Sequence, residues 1–417
     1  MAEAVPAPLE AHFAADPAVH HAPALQASGI GDVRLAIYDD LSAIERDWRV
    51  FELQADGTVF QSFDWLTTWQ HMIGIREGVQ PAIAVGRDAT GDILFLLPLS
   101  VRAAGLAREL AWLGSELCDY NGPLLAPSFS ARIDRVRFLV LWQEIACSLQ
   151  AQPHLRFDVV ALDKMPDMVG AQKNPMRYLG GTINPSGAYL THLAGDWQTF
   201  YTAARSSATR RRDRTKRKKL AEFGEIKFVN AAGESEILSS LDTLMAQKAR
   251  SFARMGVGNL FAKPGYADFY RALATGAATR PFVHVSRLDV GTTAVAVNLA
   301  LIHRDRYYHL LASYTDSELA RFGPGAAHLH DLMHYAIDRG CGIFDFTIGD
   351  ERYKRDWCDT ELVLYDYIVP VTWRGALAAT PKLTAQRLKR WIKQTPVLWT
   401  VATKVREFIG ALRPNAE

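Results

Sequence analysis

The sequence predicts an α/β protein made of two related domains. Two segments, 81–101 and 281–302, share one layout, a strand followed by a turn with one glycine and then a second strand. A helical pattern precedes each of them, "DLSAIERDWRVFELQ" in the first half and "SEILSSLDTLMAQKARSF" in the second. The length of 417 residues also exceeds what one hydrophobic core usually takes up. We therefore expect a duplicated α/β domain, with two unrelated α/β halves as the alternative.

The chain divides into four predicted segments. Residues 1–30 are rich in Ala and Pro and lack the basic start and apolar core of a signal peptide, so a disordered tail is expected. The first domain is predicted over 31–185 and the second over 186–375. Residues 376–417 are basic and amphipathic, with an interruption at Pro396. These last helices either dock on the domains or lie on an anionic membrane surface.

Composition places the protein among ordinary globular proteins of the cytoplasm. The formal net charge is +2, so electrostatic arguments must be local. The four cysteines form no CxxC pair and show no metal-ligand spacing, which is typical of reduced cytosolic thiols. The pair His330 and His334 has no matching acid or cysteine set, and no metal is expected. No run of 18 apolar residues predicts a membrane span.

A strand–loop–helix–strand unit follows the second hairpin. Residues 305–315 and 342–349 have strand patterns, and 326–340 has a helical pattern that ends at Gly340. The loop before the helix contains "GPG". Unpaired amides and the helix dipole make such a helix start suitable for an anion such as a pyrophosphate, although a plain turn is the alternative. The candidate contacts are Gly323, Pro324, Gly325 and Ala326.

A strongly basic segment precedes this unit. Nine Lys or Arg and one acid, Asp213, stand between Arg205 and Lys219. One helix over 196–223 is expected, with Asp196 as its N-cap. A solvated face would normally mix charge signs, so we expect anion binding by coenzyme phosphates, an RNA backbone or anionic lipid. No aromatic residue interleaves with the charges, which argues against a single-stranded nucleic-acid platform. The candidate contacts are Arg210, Arg211 and Arg217.

Three stretches resemble a known family. They are "FQSFDWLTTW" (60–69), "RRRDRTKRKKLAEFGEIKF" and the segment 322–357. The last is the most specific and carries the following positions of the family pattern: Pro324, Gly325, Gly340, Phe344, Asp345, Phe346, Gly349, Asp350, Glu351, Tyr353, Lys354 and Trp357. Over residues 32–370 the chain resembles GNAT-superfamily acyltransferases of the CelD type, often associated with cellulose or exopolysaccharide synthesis. It is similar, more distantly, to the FemABX peptidyltransferases.

The resemblance implies tandem GNAT-like domains, each a mixed sheet flanked by helices. It implies acyl-CoA, such as acetyl-CoA, as co-substrate and transfer of the acyl group to an amine or hydroxyl of a small molecule or glycan precursor. An acyl-carrier protein or a charged tRNA is the alternative donor, and DNA is not an expected partner. One departure concerns the phosphate loop, where Ala320 stands at the position that ordinary GNAT enzymes fill with Arg or Gln.

Five residues are candidates for the chemistry. Asp345 is placed on the strand face toward the gap as a general base, with ion pairing as the alternative. Asp350 and Glu351 follow at the strand end, where solvated turn acids are the alternative. Lys354 either binds an anion or neutralises Asp350. Tyr314 is a candidate general acid to the leaving thiolate, or a packed tyrosine.

Three functions remain open at this point. The first is a GNAT-type acyltransferase acting on a cell-envelope or polysaccharide building block, in the cytoplasm or peripherally at the inner membrane surface. The second is a FemABX-like transferase that uses aminoacyl-tRNA. The third is a non-catalytic scaffold in a polysaccharide-synthesis complex.

Overall fold

Two β-sheets form the framework of the protein. The computed structural model describes residues 31–114 and 116–394, and the predictions for 1–30 and for Pro396 lie outside these ranges. The first sheet has the strand order β1-β2-β3-β4-β6-β17-β9, with β5 paired to β3. Its strands are β1 (Arg34–Tyr38), β2 (Gln80–Arg87), β3 (Ile93–Ala104), β4 (Ala107–Trp112), β5 (Leu124–Leu125), β6 (Val159–Pro166), β9 (Thr182–Ile183) and β17 (Leu364–Pro370).

The second sheet repeats this topology with the order β11-β12-β13-β14-β15-β10-β16. Its strands are β10 (Ala188–His192), β11 (Ile226–Asn230), β12 (Val283–Val290), β13 (Thr293–His303), β14 (Arg306–Tyr314), β15 (Ile343–Ile348) and β16 (Thr360–Leu362). A separate small hairpin consists of β7 (Met168–Val169) and β8 (Gln172–Lys173). Both predicted hairpins, β2–β3 and β12–β13, are present, and both are antiparallel.

Eleven α-helices cover the sheets within the described ranges. They are α1 (Glu45–Glu52), α2 (Phe63–Trp69), α3 (Phe129–Arg132), α4 (Arg135–Ala151), α5 (Trp197–Ala204), α6 (Ser207–Ala221), α7 (Glu234–Arg254), α8 (Tyr266–Thr275), α9 (Pro324–Asp338), α10 (Arg352–Arg355) and α11 (Trp373–Gln394). None of the helices in the described part is long and apolar enough to cross a membrane.

The two sheets exchange one strand. Strand β10 follows the first half in sequence but pairs between β15 and β16 of the second sheet. Strand β17 follows the second half but pairs between β6 and β9 of the first. The predicted boundary at 185 keeps β10 with the second sheet, but the predicted range 186–375 also contains β17, which belongs to the first sheet. The chain therefore returns to the first sheet after it has formed the second, and the two domains are not two consecutive segments of sequence.

In each sheet two neighbouring parallel strands separate. Strands β4 and β6 pair only at Glu109 with Val159 and at Leu110 with Val160. Strands β14 and β15 pair over Arg306–Tyr308 and then diverge. Past each divergence one non-glycine residue has positive φ, Lys164 at 54° in β6 and Thr347 at 60° in β15. The exchanged strands shift register beside these residues, so both gaps are built with a local β-bulge.

The basic segment is not one helix, as the sequence predicted, but two. Asp196 caps α5 through the Thr199 amide, as expected. Arg205 then adopts an extended conformation, and the Ser206 hydroxyl caps α6. A serine at this position accepts a backbone hydrogen bond at a helix start, which explains why a second helix begins here.

The aromatic residues of "FQSFDWLTTW" lie in the core. Phe60, Phe63, Trp65 and Trp69 are all buried in a hydrophobic cluster that also contains residues of α7 and α8. Phe60 contacts the Tyr308 ring edge-on, and Trp65 contacts the Phe269 ring in the same way. This cluster stabilises the contact between the two domains through buried aromatic area.

The described part of the C-terminal segment docks on the first domain. Helix α11 packs against β4, β6 and β17. Lys382 forms an ion pair with the buried Glu109, and Gln386 donates a hydrogen bond to Asp366 at 2.7 Å. For residues 373–386 the docking alternative is therefore the one observed.

Candidate functional site

The candidate site begins where β14 and β15 diverge. Their pairing ends at Tyr308 opposite Asp345. On its other edge β14 shifts register against β13 between Leu299 and Leu301, which places His309 and Leu310 in a β-bulge. A bulge and an unpaired strand edge leave backbone groups available for a ligand. The gap thus offers main-chain donors and acceptors at the level of the bulge.

Asp345 closes the inner end of this gap and is fully buried. Its carboxylate accepts hydrogen bonds from the Tyr120 hydroxyl at 2.7 Å and the Thr347 amide at 2.8 Å, and it pairs with Arg306 at 3.1 Å. Burial raises its pKa, and the Arg306 charge opposes that rise. These contacts match the ion-pair alternative for Asp345, and its role as a general base stays a prediction. The Arg306 partner belongs to the same domain, and the Tyr120 hydroxyl is the contact with the first domain.

A loop of the first domain (residues 116–123, the β4–β5 loop) reaches into the second domain. The Gln61 side chain donates to the Tyr120 carbonyl at 2.7 Å, and the Asn121 amide donates to the Lys164 carbonyl at 3.0 Å. Lys164 Nζ in turn donates to the Cys118 carbonyl at 2.5 Å. Cys118 and Tyr120 are buried. These bonds fix the backbone on both sides of Asp119.

Asp119 is half-buried and stands at the contact between the domains. The ionised groups that influence it most are Lys164 of its own domain and Lys354 of the other, and the Thr347 side chain contributes a hydrogen bond. Burial nevertheless raises the pKa of Asp119 above its usual value. A carboxyl with a raised pKa on a partly exposed residue between two domains is a candidate general base. The sequence did not indicate this residue, because the β4–β5 loop carries no motif.

Lys354 holds the end of β15 rather than facing open solvent. Its side chain is buried, its ammonium donates to the Ile348 carbonyl at 2.7 Å, and it pairs with Glu351 at 3.1 Å. Glu351 is therefore an ion-pair partner of Lys354, and neutralisation of Asp350 stays a prediction. A Cβ at Gly349 would stand 2.7 Å from the Lys354 ammonium, so glycine makes room for this contact. Asp350 is half-buried beside this turn.

The side chains of His309 and Lys248 also border the gap. His309 is buried, and its Nδ1 has no hydrogen-bond partner within the described residues. Burial and nearby lysines lower its pKa to about 3, so the imidazole is neutral at physiological pH. Lys248 of α7 is half-buried, and burial lowers its pKa. Glu351 and Lys354 act electrostatically on Lys248, which places all these groups around one space.

The predicted phosphate loop stands at the start of α9, beside the outer part of β14. Gly323 is the N-cap with φ at 68°, and Pro324 is the first helical residue. Within the described residues the amides of Gly325 and Ala326 have no backbone or side-chain acceptor. Tyr314 is about half exposed, and its ring lies against Gly325. Tyr314 therefore lies beside the loop that is predicted to bind the donor phosphates.

The basic helix α6 borders this loop, but not through the predicted arginines. Arg210 donates to the carbonyls of Thr202 and Arg205 at the end of α5. Arg217 pairs with Asp331 at 3.0 Å, and Arg211 is exposed. The residue nearest the loop is Lys216, whose ammonium would be 3.7 Å from a Cβ at Gly323. Lys216 is thus the cation beside Gly323, whereas Arg210 and Arg217 bond to groups of the protein itself, and their contact with an anion stays a prediction.

One comparison concerns the sequence of the second domain, and another concerns the fold of both domains. Residues 207–355 match the sequence model of a family described as acetyltransferase (GNAT) domain. This part of the chain is therefore similar in sequence to GNAT-type acetyltransferase domains. No protein with a curated description matches the sequence significantly.

Solved structures are similar over both domains. FemX has a TM-score of 0.54 at 9% identity, covering 78% of this chain and 96% of FemX. A conserved protein of unknown function from Bacteroides thetaiotaomicron has a TM-score of 0.50 at 14% identity, covering 79% and 98%. A tandem GNAT protein from the clavulanic acid biosynthesis pathway has a TM-score of 0.47 at 9% identity, covering 81% and 98%. At these identities the likeness concerns the fold, and the predicted fold of two GNAT-like domains is confirmed.

Proposed function

We propose that the protein transfers an acyl group from an acyl-CoA or a related thioester to an amine or hydroxyl. The observation that carries this proposal is the open gap between β14 and β15, with the half-buried Asp119 beside it and the unpaired α9 amides at its outer end. One structure thus combines an anion site, two strand edges for an amide-containing arm, and a base. The GNAT-type domain over 207–355 supports the same reaction class.

The donor is expected to enter along the strand edges. Its phosphates bind the amides of Gly325 and Ala326 and the ammonium of Lys216, where the helix dipole adds positive potential. Its amide groups bond the open edges of β14 and β15 as a short added strand would. The thioester then lies near the bulge at His309 and Leu310, where backbone amides polarise its carbonyl.

The reaction needs one proton removed and one delivered. The acceptor N–H or O–H loses its proton to Asp119 as its lone pair forms the new bond to the thioester carbon. The carbon–sulfur bond breaks when the tetrahedral intermediate collapses, and the departing thiolate takes a proton from solvent or from Tyr314. Asp345 holds the geometry through Tyr120, the residue after Asp119 in the chain. Asp345 is therefore a positioning residue in this mechanism.

The acceptor is proposed to be a small molecule or glycan precursor of the cell envelope or an exopolysaccharide. The acids Asp119, Asp350 and Glu351 give the space between the domains acceptors for an amine or for several hydroxyls. We further propose that the reaction takes place in the cytoplasm, where acyl-CoA is available. The CelD-like pathway assignment is part of this proposal.

The test combines donor binding with turnover. Acetyl-CoA is titrated into the protein by calorimetry, and free thiol release is then measured with a panel of amino sugars, amino acids and sugar nucleotides. We expect acetyl-CoA to bind with a dissociation constant on the order of micromolar to hundreds of micromolar, typical of enzyme co-substrates. We also expect at least one amine or hydroxyl acceptor to release thiol. Absence of binding by acetyl-CoA and by longer acyl-CoAs would overturn the proposal.

A second function, aminoacyl transfer from charged tRNA, is favoured by two observations. FemX has the same fold over most of both chains, and α6 carries exposed cations next to the gap. Tight, strongly salt-dependent binding of charged tRNA without any acyl-CoA binding would establish this function instead. If neither acyl-CoA nor charged tRNA binds, the third function remains, a scaffold in a synthesis complex.

A further inference from the structure

Helix α6 carries its unpaired cations in two stripes on different faces. Arg205, Arg210, Arg217 and Lys219 contact carbonyls or acids of the protein. The remaining five are exposed and have no hydrogen-bond or ion-pair partner among the described residues: Arg211, Arg212, Arg214, Lys216 and Lys218. Because each residue turns about 100°, Arg212 and Lys216 share one face, and Arg211, Arg214 and Lys218 share another.

The inner stripe contains Lys216, the cation beside the predicted anion site, and Arg212, which stands one turn before it on the same face. Lys216 lies beside Gly323, as described above. These two cations and the α9 amides are enough for the phosphates of a small donor. The inner stripe is therefore explained by the proposed function.

The outer stripe, Arg211, Arg214 and Lys218, is not explained in this way. It lies about 150° around the helix axis from the inner stripe, on the far side from the buried Leu220. A ligand bound at Gly323 would have to cross the width of a helix, about 10 Å, to reach it. Three like charges on one unpaired face repel one another, so an anionic surface is expected to cover them.

The shape of the outer face favours a helical protein over RNA. Within α6 the other residues that share this face with the cations are small, Ser207, Thr215 and Ala221, and the one acid beside them is the C-cap Glu222, which pairs with Lys219. The three cations span about 10 Å along the axis, at spacings of three and four residues. A second helix with acids at matching spacing can approach such a face to about 8–10 Å between axes. No aromatic side chain lies between these cations to stack on a base, as single-stranded RNA binding would favour.

We propose that the outer stripe of α6 binds an acidic carrier protein that delivers the acyl group as a thioester on its phosphopantetheine arm. This inference rests on the proposed acyl transfer and names its donor. The arm's phosphodiester occupies the anion site at the start of α9, and the acidic helix of the carrier lies on the outer stripe. The chemistry is balanced as for acyl-CoA: the acceptor displaces the carrier thiol, which leaves with a proton.

The test measures binding without needing the acceptor. The probe is fluorescently labelled bacterial acyl carrier protein with an acetylated phosphopantetheine arm, followed by anisotropy at low salt. The variant carries Arg211→Glu, Arg214→Glu and Lys218→Glu. The matched control carries Arg46→Glu, Arg76→Glu and Arg135→Glu, three exposed arginines of the first domain with the same total charge change. We expect the variant to weaken carrier binding by at least about tenfold because like charges then face each other, and the control to keep it.

Acetyl-CoA binding separates this inference from the proposed function. In the outer-stripe variant we expect acetyl-CoA affinity, measured at about 0.15 M salt, to stay within about twofold, since the Debye length of about 8 Å then screens charges this far from its phosphates. A carrier protein with one helix acid replaced by Lys should regain part of the lost affinity for the variant. Acetyl-CoA binding by the wild type without carrier binding would overturn the inference and leave the proposed function intact. Tighter binding of tRNA than of the carrier, lost in the variant, would overturn it as well.

Discussion

The two gaps of this protein are built alike and differ in what fills them. Between β4 and β6 the protein's own β4–β5 loop fills the space, with Asn121 bonded to the Lys164 carbonyl and Lys164 to the Cys118 carbonyl. Between β14 and β15 the backbone pairing ends at Tyr308 and Asp345, and past that point the Lys354 ammonium binds the Ile348 carbonyl of β15. The loop that closes the first gap also carries Asp119 to the second. The comparison indicates that one copy of the domain has become structural and serves the other.

The helices α4 and α9, which hold corresponding places in the two copies, also differ in the residue at which each begins. The Asp134 carboxylate caps α4 and accepts the Arg137 amide at 2.8 Å. Helix α9 begins at Gly323, which has no side chain, and two amides stay unpaired among the described residues. A carboxylate at a helix start excludes a phosphate by charge and by occupancy, whereas a glycine admits one. Only the second copy is therefore equipped to bind an anionic donor.

The largest expected effect concerns the bond between the copies. Replacing Asp345 by Ala leaves the partly buried Arg306 and the buried Tyr120 hydroxyl without their acceptor. We expect the free energy of unfolding to fall by about 3–5 kcal/mol, as for other broken buried ion pairs. Urea denaturation followed by fluorescence measures this change.

Tyr120→Phe is the matched control for this prediction. It removes one hydrogen bond to a charged acceptor and keeps the ion pair, so we expect a loss of about 1.5–3 kcal/mol. A loss below about 1 kcal/mol for Asp345→Ala would contradict a structural role that depends on a buried pair. Asp345 would then have to be reconsidered as the catalytic base.

The second prediction concerns catalysis by the residue that the first copy contributes. Asp119→Asn removes the base and should lower the rate of acyl transfer about a hundredfold or more, with acetyl-CoA affinity unchanged. Because the pKa of Asp119 is raised, wild-type activity should fall, on acidification, at a pH above the usual range of a carboxyl. Initial rates against pH for both proteins measure these changes.

The thermal stability of Asp119→Asn should rise, although its rate of acyl transfer falls. A carboxyl whose pKa is higher in the folded than in the unfolded state favours folding at low pH and loses that contribution as pH rises through the folded pKa. Asn cannot ionise, so Asp119→Asn should melt at a higher temperature than the wild type at neutral pH. Glu116→Gln, on the same loop and more exposed, is the control and should change neither rate nor melting temperature. An equal loss of rate in both variants would show that the loop, not the carboxylate, matters.

Local patterns predicted the parts of this site that are close together in sequence. Alternation and helical periodicity located both hairpins, β14, α9 and β15, because each depends on neighbouring residues. The Gly-Pro-Gly loop was found for the same reason. The strand exchange was not predicted, since β10 and β17 pair with strands whose partners no local pattern specifies.

The contact of Asp345 with the first domain was missed for a related reason. Tyr120 and Asp345 are 225 positions apart, and only the folded chain shows that the carboxylate of Asp345 is occupied. Alternation correctly placed Asp345 opposite Phe344 and Phe346, but it cannot tell an open gap from a buried ion pair. The break between α5 and α6 had a local signal, the serine before "SATR", which the continuous run of charges concealed.

The third prediction compares the helix starts of the two copies by replacing the N-cap residue of each by Ala. Gly323→Ala forces a Cβ into the left-handed region and should lower the free energy of unfolding by about 1–2 kcal/mol. It should also weaken acetyl-CoA binding, because the loop can no longer hold its amides toward the phosphates. Asp134→Ala in the first copy should lower stability by about 1 kcal/mol through the lost cap, with acetyl-CoA binding unchanged. Weakened donor binding in both variants would contradict the assignment of the donor to the second gap alone.

The smallest expected effect is that of Lys216→Gln, which tests the anion site with little change in stability. Lys216 is exposed and forms no ion pair among the described residues, so the free energy of unfolding should change by less than about 0.5 kcal/mol. One cation near a phosphate contributes a charge-assisted contact, and its loss should weaken acetyl-CoA binding about three- to tenfold, more at low salt than at high salt. Calorimetry at two salt concentrations measures both effects.

Lys218→Gln, two positions along α6 and on its outer face, is the matched control and should leave the affinity unchanged. If the two lysines contributed equally, the cations of α6 would act only as a diffuse field, and the separation of the helix into an inner and an outer stripe would fail.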